Sequence, residues 1–300
     1  MNLDTAFWQV NLCALLTNFG WVKKQIISPG NKKNKMAKVS LTFPLTNSIG
    51  DYSIYQMEGV NKLILRAKGG PSKEQIANDP QFERFRKCQS EFSGAGKASG
   101  LIMNTTKALN SLADHAYCGM LSKVCKIIQK QETDAEPGKR PILFSKYGKF
   151  LEGMNFNERK VIDTVLKQLP RYTILRDKHK ATVYFSELFP GVNLFNPWNY
   201  PVYRFIITLG VLQDMELTAN GYKVTNPAII LNRTQVITDW NFSNQALSAA
   251  SYGLVLADNT ILDAGSSLVL AIGVQFGRII SNSITEMAKK AGCAKILAVG

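Results

Sequence analysis

From residue 181 to the C terminus, short apolar runs alternate with turn residues. This spacing constrains the fold more than any other feature of the sequence. The candidate strands are Ala181–Phe189, Val202–Val211, Gly221–Val224, Ile229–Trp240, Tyr252–Ala257, Ser267–Phe276 and Cys293–Val299. Within them Leu268, Leu270, Ile272, Val274 and Phe276 occupy every second position, the period of a strand with one face in a core. Asn220-Gly221 and Asp258-Asn259 stand at turn positions, and Asn-Gly is the strongest short hairpin signal. Strands this short and this closely spaced predict antiparallel sheets folded as a sandwich, not alternating βαβ units.

The period differs upstream. Phe82, Phe85 and Gln89, then Leu101, Ile102, Thr105, Leu109 and Leu112, then Met120, Leu121, Val124, Ile127 and Ile128 recur at helical spacing, so residues 81–131 predict two or three helices. Phe82 and Phe85, three apart, read as core. A polar loop with Pro137-Gly138 follows. Before the helices, Lys38–Phe43 reads as a strand and Gly50–Lys68 as a hairpin turning at Glu58-Gly59. Residues 36–140 are therefore expected to form a hairpin-plus-helix unit and residues 141–300 an antiparallel β-sandwich, an α+β chain.

Residues 1–35 differ from the rest. The apolar run Ala6–Val22 is preceded by Asp4 and followed by Lys23 and Lys24, the reverse of a secretory signal, and it is marginal for a membrane span. Periodic text starts only at Met36. The preferred reading is a start at Met36 with residues 1–35 as a leader. A membrane anchor formed by residues 6–22 and an ordinary N-terminal helix are the alternatives, and no membrane contact is expected unless those residues insert.

Gly94-Ala95-Gly96-Lys97-Ala98-Ser99-Gly100 lacks the first glycine of a phosphate loop, has Ala98 where Ser or Thr should follow the lysine, and comes after a helix pattern. It reads as small residues where two helices, or a helix and a loop, pack closely. Two histidines in 300 residues leave little for a histidine metal site. The five cysteines form no C-x-x-C and suit a reducing, cytoplasmic compartment; Cys118 and Cys125 read as buried thiols. His115 lies three residues before Cys118, but a surface histidine near a core thiol is the commoner arrangement. His179 reads as part of a solvated turn, and Asp214/Glu216 as an exposed strand face. The segment Phe189–Pro201, aromatic and amide-rich, is either a contact loop or a loop packing its own rings. No cofactor or metal is expected.

What remains is diffuse and basic. The chain carries 36 Lys and Arg against 22 Asp and Glu, net +14, and residues 36–150 alone carry 17 against 10. Lys62, Arg66, Lys68, Lys73, Arg84, Arg86 and Lys87 cluster there, interleaved with Tyr52, Tyr55, Phe82, Phe85 and Phe92. Cations that track phosphates beside aromatics that stack bases are the composition of a nucleic-acid surface. The competing reading is a basic, soluble domain with its rings in a core.

The stretch Gly50–Arg66, then Pro71-Ser72-Lys73-Glu74-Gln75 and Phe82-Glu83-Arg84-Phe85, together with Ala271–Gly277 and Ala291–Leu297, resembles families of uncharacterised proteins from Bacteroidetes. The resemblance implies an N-terminal hairpin, a following helix and closing C-terminal strands. It implies no activity, so no residue role follows from it. The expectation is a non-enzymatic structural or protein-interaction module, with a protein partner or self-association. The alternative is a nucleic-acid-binding protein that uses the seven basic residues above.

Overall fold

In the computed structural model the described residues are 36–39, 47–56, 63–257, 262–281 and 284–300. Residues 1–35, the strand end at 40–43, the turn at Glu58-Gly59, Lys62 and the Asp258-Asn259 turn lie outside them. The chain is α+β and divides into two compact units, Met1–Lys73 and Glu74–Gly300.

The first unit holds a four-stranded antiparallel sheet of β1 (Met36–Val39), β2 (Asn47–Ile49), β3 (Tyr52–Gln56) and β4 (Leu63–Ala67), in the order β1-β4-β3-β2. The expected hairpin is the β3–β4 pair, with Ile54 opposite Leu65. A second, tighter hairpin joins β2 to β3 through Gly50, whose φ of 51° suits glycine.

The second unit opens with helix α1 (Lys73–Asn78), whose first residue still belongs to the first unit. Two long helices follow, α2 (Glu83–Thr105) and α3 (Cys118–Gln131), joined by a 3-10 turn at Lys107–Leu112. The strands are β5 (Arg171–Leu175), β6 (Lys180–Phe185), β7 (Val202–Gln213), β8 (Met215–Thr218), β9 (Gly221–Val224), β10 (Arg233–Ile237), β11 (Asn241–Phe242), β12 (Ala250–Val255), β13 (Ser266–Ser281) and β14 (Ile284–Val299). The central sheet runs β10-β7-β13-β14 with β11 on β7, and a three-stranded sheet runs β12-β6-β5. The hairpin read from Asn220-Gly221 is β8–β9, in which Thr218 pairs with Gly221 at φ 86°.

Alternation places two cores on opposite faces of the central sheet. Leu268, Leu270, Ile272, Val274 and Phe276 point one way with Tyr203, Phe205, Ile207, Leu209 and Val211, and meet Ala181, Val183, Phe185 and Leu254 of the smaller sheet. The other face, with Ile206, Leu212, Val269, Ala271, Ala294 and Ile296, meets Ala98, Ile102, Leu109 and Leu121 of the helical layer. Small residues on that face let the helices approach. A Cβ added at Gly210 would stand 2.5 Å from Cγ2 of Thr105. The helices therefore share a core with the strands, and the contact boundary falls after Lys73, not after residue 140.

Candidate functional site

Helix α2 positions Glu83, Arg84, Lys87, Cys88 and Glu91 on one side, since steps of three, four and seven residues return to the same face. Opposite stand Lys126 and Lys130 of α3, and Pro137, Gly138 and Arg140 of the loop after it. Together these residues line a cleft of about 590 Å³, wholly within the second unit.

The floor of the cleft is Glu91, only 5% exposed. Its carboxylate accepts from Lys126 Nζ and from the Gly138 N–H at 2.8 Å, and Arg140 Nη1 lies 3.7 Å away. Burial pushes this carboxyl up, but the Lys126 and Gly138 hydrogen bonds and the two cationic charges outweigh it and hold it below the usual range. Gln129 Nε2 donates to the Arg140 carbonyl at 3.0 Å and to Tyr222 Oη at 3.0 Å, while Tyr222 Oη donates to the same carbonyl at 2.8 Å. Ser90 Oγ donates to the Gly138 carbonyl at 2.9 Å. Gly138, at φ 96°, lies so near Lys87 that a Cβ would stand 2.8 Å from its Cγ. The loop is thus fastened to both helices, which fixes Arg140 in place. The Nε of Arg140 is buried without a hydrogen-bond partner among the described residues.

Five cations and two carboxylates line the cleft. Lys87 pairs with Glu83 at 2.8 Å and with Glu136 at 3.6 Å, and Lys126 and Arg140 share Glu91. Arg84 and Lys130 form no ion pair among the described residues, so the cleft keeps a positive excess. Beside it on α2, Phe85 and Phe92 are 52% and 67% exposed. The reading of Phe85 as core is corrected: the buried residues of α2 begin only at Glu91, where Gly94, Ala95, Ala98 and Ser99 allow close packing, and the first two turns carry none.

The predicted basic residues fall in both units. Arg84 and Lys87 line the cleft. Arg86, two positions on and turned about 200° around the helix, donates Nη1 to the carbonyls of Ile76 at 2.7 Å and Asp79 at 2.9 Å, so it braces the α1–α2 connection. In the first unit, Arg66 is exposed on β4, Lys68 Nζ donates to the Gly50 carbonyl at 2.9 Å, and Lys73 starts α1. Glu91, Lys126, Lys130, Gly138 and Arg140 were not anticipated. The available signals were an acid on the apolar side of a helix and the i, i+4 pair Lys126/Lys130.

Gly94–Gly100 is helical, not a loop. Cys125 is buried, but Cys118 is exposed at the start of α3, where fewer side chains cover it, with Ser99 Oγ 3.1 Å from its sulfur. His115 bonds Asp114 at 2.8 Å. His179 caps a turn at φ 48°. Asp214 is buried and accepts from Ser145 N at 2.9 Å and Ser145 Oγ at 2.5 Å, whereas Glu216 is exposed; the strand face expected to be exposed is so only at Glu216, because β7 ends beneath Ser145. In the aromatic loop, Trp198 packs on Phe276 at 5.1 Å and Phe189 is exposed.

Among the described residues no group of three or more His, Cys, Asp or Glu could hold a metal ion, and no helix is long and apolar enough to cross a membrane. Comparison with protein-family models, with curated proteins and with solved structures returns no match for the chain.

Proposed function

We propose that this protein is a non-enzymatic binding module that holds an anionic partner in the cleft between α2, α3 and the loop at 137–140. One observation carries the reading: Arg84 and Lys130, both without an ion pair among the described residues, line a cleft in which Glu91 already offsets one of the two charges of Lys126 and Arg140. A fixed floor with cations left over suits an incoming anion better than proton transfer, because both lining carboxylates are committed to ion pairs. The paired sheets serve in this reading as a sandwich scaffold that keeps the helices rigid.

The test is retention on heparin. Binding should weaken steeply as salt rises, and Arg84→Ala with Lys130→Ala should elute earlier than the parent chain. Elution of both proteins in the void at low salt would refute the reading.

A second reading, a protein partner or self-association, has its own observation. Beyond the Val202–Gly277 pair β13 has lost β7 among the described residues, and residues 278–281 pair with residues 284–286 of β14 in a two-stranded ribbon, near which Ile279, Ile280 and Met287 are 44%, 58% and 45% exposed. A ribbon with open edges and apolar side chains is a template for another strand. Sizing by light scattering, with Ile280→Lys as control, tests it.

A further inference from the structure

We infer that the occupant of the cleft is a single strand of nucleic acid, its phosphates among Arg84, Lys130 and Arg140 and its bases on Phe85 and Phe92. The inference rests on the anionic-partner reading and adds the chemical class.

Phe85 and Phe92 are seven residues apart, so on α2 they stand nearly above one another, about 10.5 Å along the axis. Each directly follows a cleft residue, Phe85 after Arg84 and Phe92 after Glu91. They form a shoulder parallel to the cleft, each about 100° around the helix from the cleft residue before it. Two phenyl rings more than half exposed on one helix stripe present flat apolar faces to solvent, and bases can stack on them. Their separation matches about three nucleotides at the 3.4 Å rise of a stacked strand. The cations beside them neutralise phosphates. In a duplex the base faces are covered, so the phenyl shoulder selects an unpaired strand. An acidic peptide would satisfy the charges but would give the rings nothing specific to stack on.

The experiment is a fluorescence-anisotropy titration of the full chain with labelled oligothymidylate of about a dozen nucleotides, within the site sizes usual for such proteins. A duplex of the same length, inorganic polyphosphate and polyglutamate are the other probes. For about three phosphate contacts the log–log salt slope on the single strand should be about −2. Phe85→Ala and Phe92→Ala should each weaken oligothymidylate about tenfold and leave polyphosphate binding unchanged. Both side chains are exposed, so neither change threatens the fold. Oligothymidylate binding that is unaffected by the two substitutions, or no tighter than binding of the duplex or of polyglutamate, overturns the inference while the anionic-partner reading stands. Absence of binding to every polyanion at about 50 mM salt, or insensitivity of all of them to Arg84→Ala with Lys130→Ala, overturns both.

Discussion

Gly94 of α2 lies against the ring of Tyr222 in β9 so closely that a Cβ at Gly94 would stand 2.8 Å from Cγ and Cδ2 of the ring. The same tyrosine accepts from Lys97 Nζ through its carbonyl at 3.0 Å and donates through its hydroxyl to the Arg140 carbonyl. Burial pushes that hydroxyl up to about 12, so it stays a donor across the working range. One residue therefore ties the sheet edge, the long helix and the cleft loop together.

This contact gives a matched pair of substitutions on one helix. Gly94→Ala must displace the Tyr222 ring and should cost about 1–3 kcal/mol. Gly96→Ala meets nothing within 4 Å and should gain up to about 1 kcal/mol from helix propensity. Urea unfolding of the two variants checks the sign of each; a Gly94→Ala protein as stable as the parent would show that the ring can move aside freely.

Arg84 and Arg86 are chemically identical neighbours with different expected losses. Arg84→Ala should weaken polyanion binding and leave the unfolding midpoint unchanged. Arg86→Ala removes two bonds to carbonyls, and because the side chain is only partly buried it should cost about 1–2 kcal/mol of stability. Its effect on binding should be small. Parallel anisotropy and thermal melts separate the two; equal binding losses would place Arg86 at the ligand.

These pairs also mark what the sequence could convey. The alternation from Leu268 to Phe276 is local, and a period of two has one structural meaning, so the central strand and its buried face were legible. Spacing alone says that Phe82 and Phe85 share a helix face but not what that face meets. The answer lay downstream, in the small residues that let α2 settle only from Glu91 onward. The cleft was half legible. Arg84 and Lys87 are on α2, but their counterparts come from another helix and a loop, and only the chain fold brings Glu91, Lys126 and Arg140 together. Strand β5, a partly exposed edge, carried too little alternation to be read at all.

Glu91 should leave a signature in acid. Its folded pKa lies below the ordinary value of 4.5, so its contribution to stability is complete above that value and is lost as pH falls through the folded pKa. Glu91→Gln should therefore cost about 1–3 kcal/mol near neutrality, by leaving Lys126 without its counter-charge, and the deficit should shrink below pH 4.5. Chemical unfolding at pH 7 and in the acid range measures both; a deficit that does not change with pH would mean the carboxylate is not the stabilising form.

Asp214 should behave in the opposite way. Burial pushes its carboxyl above the ordinary 3.8, against the pull of the Ser145 hydroxyl and N–H, and the charge of Asp263 adds to the rise. A group whose folded pKa is raised binds its proton more tightly in the native state. Its favourable contribution is present below pH 3.8 and falls as pH climbs through the folded value. Asp214→Asn keeps the shape and an acceptor for the Ser145 N–H but has no charge to desolvate. Relative to the parent it should gain stability on going from pH 3.5 to pH 7. Asp214→Ala strands both Ser145 donors and should lose about 1–3 kcal/mol throughout. Unfolding curves of the three proteins across that range decide the matter: an Asp214→Asn deficit that grows toward neutrality would mean that the Ser145 hydrogen bonds favour the ionised carboxylate more than burial opposes it.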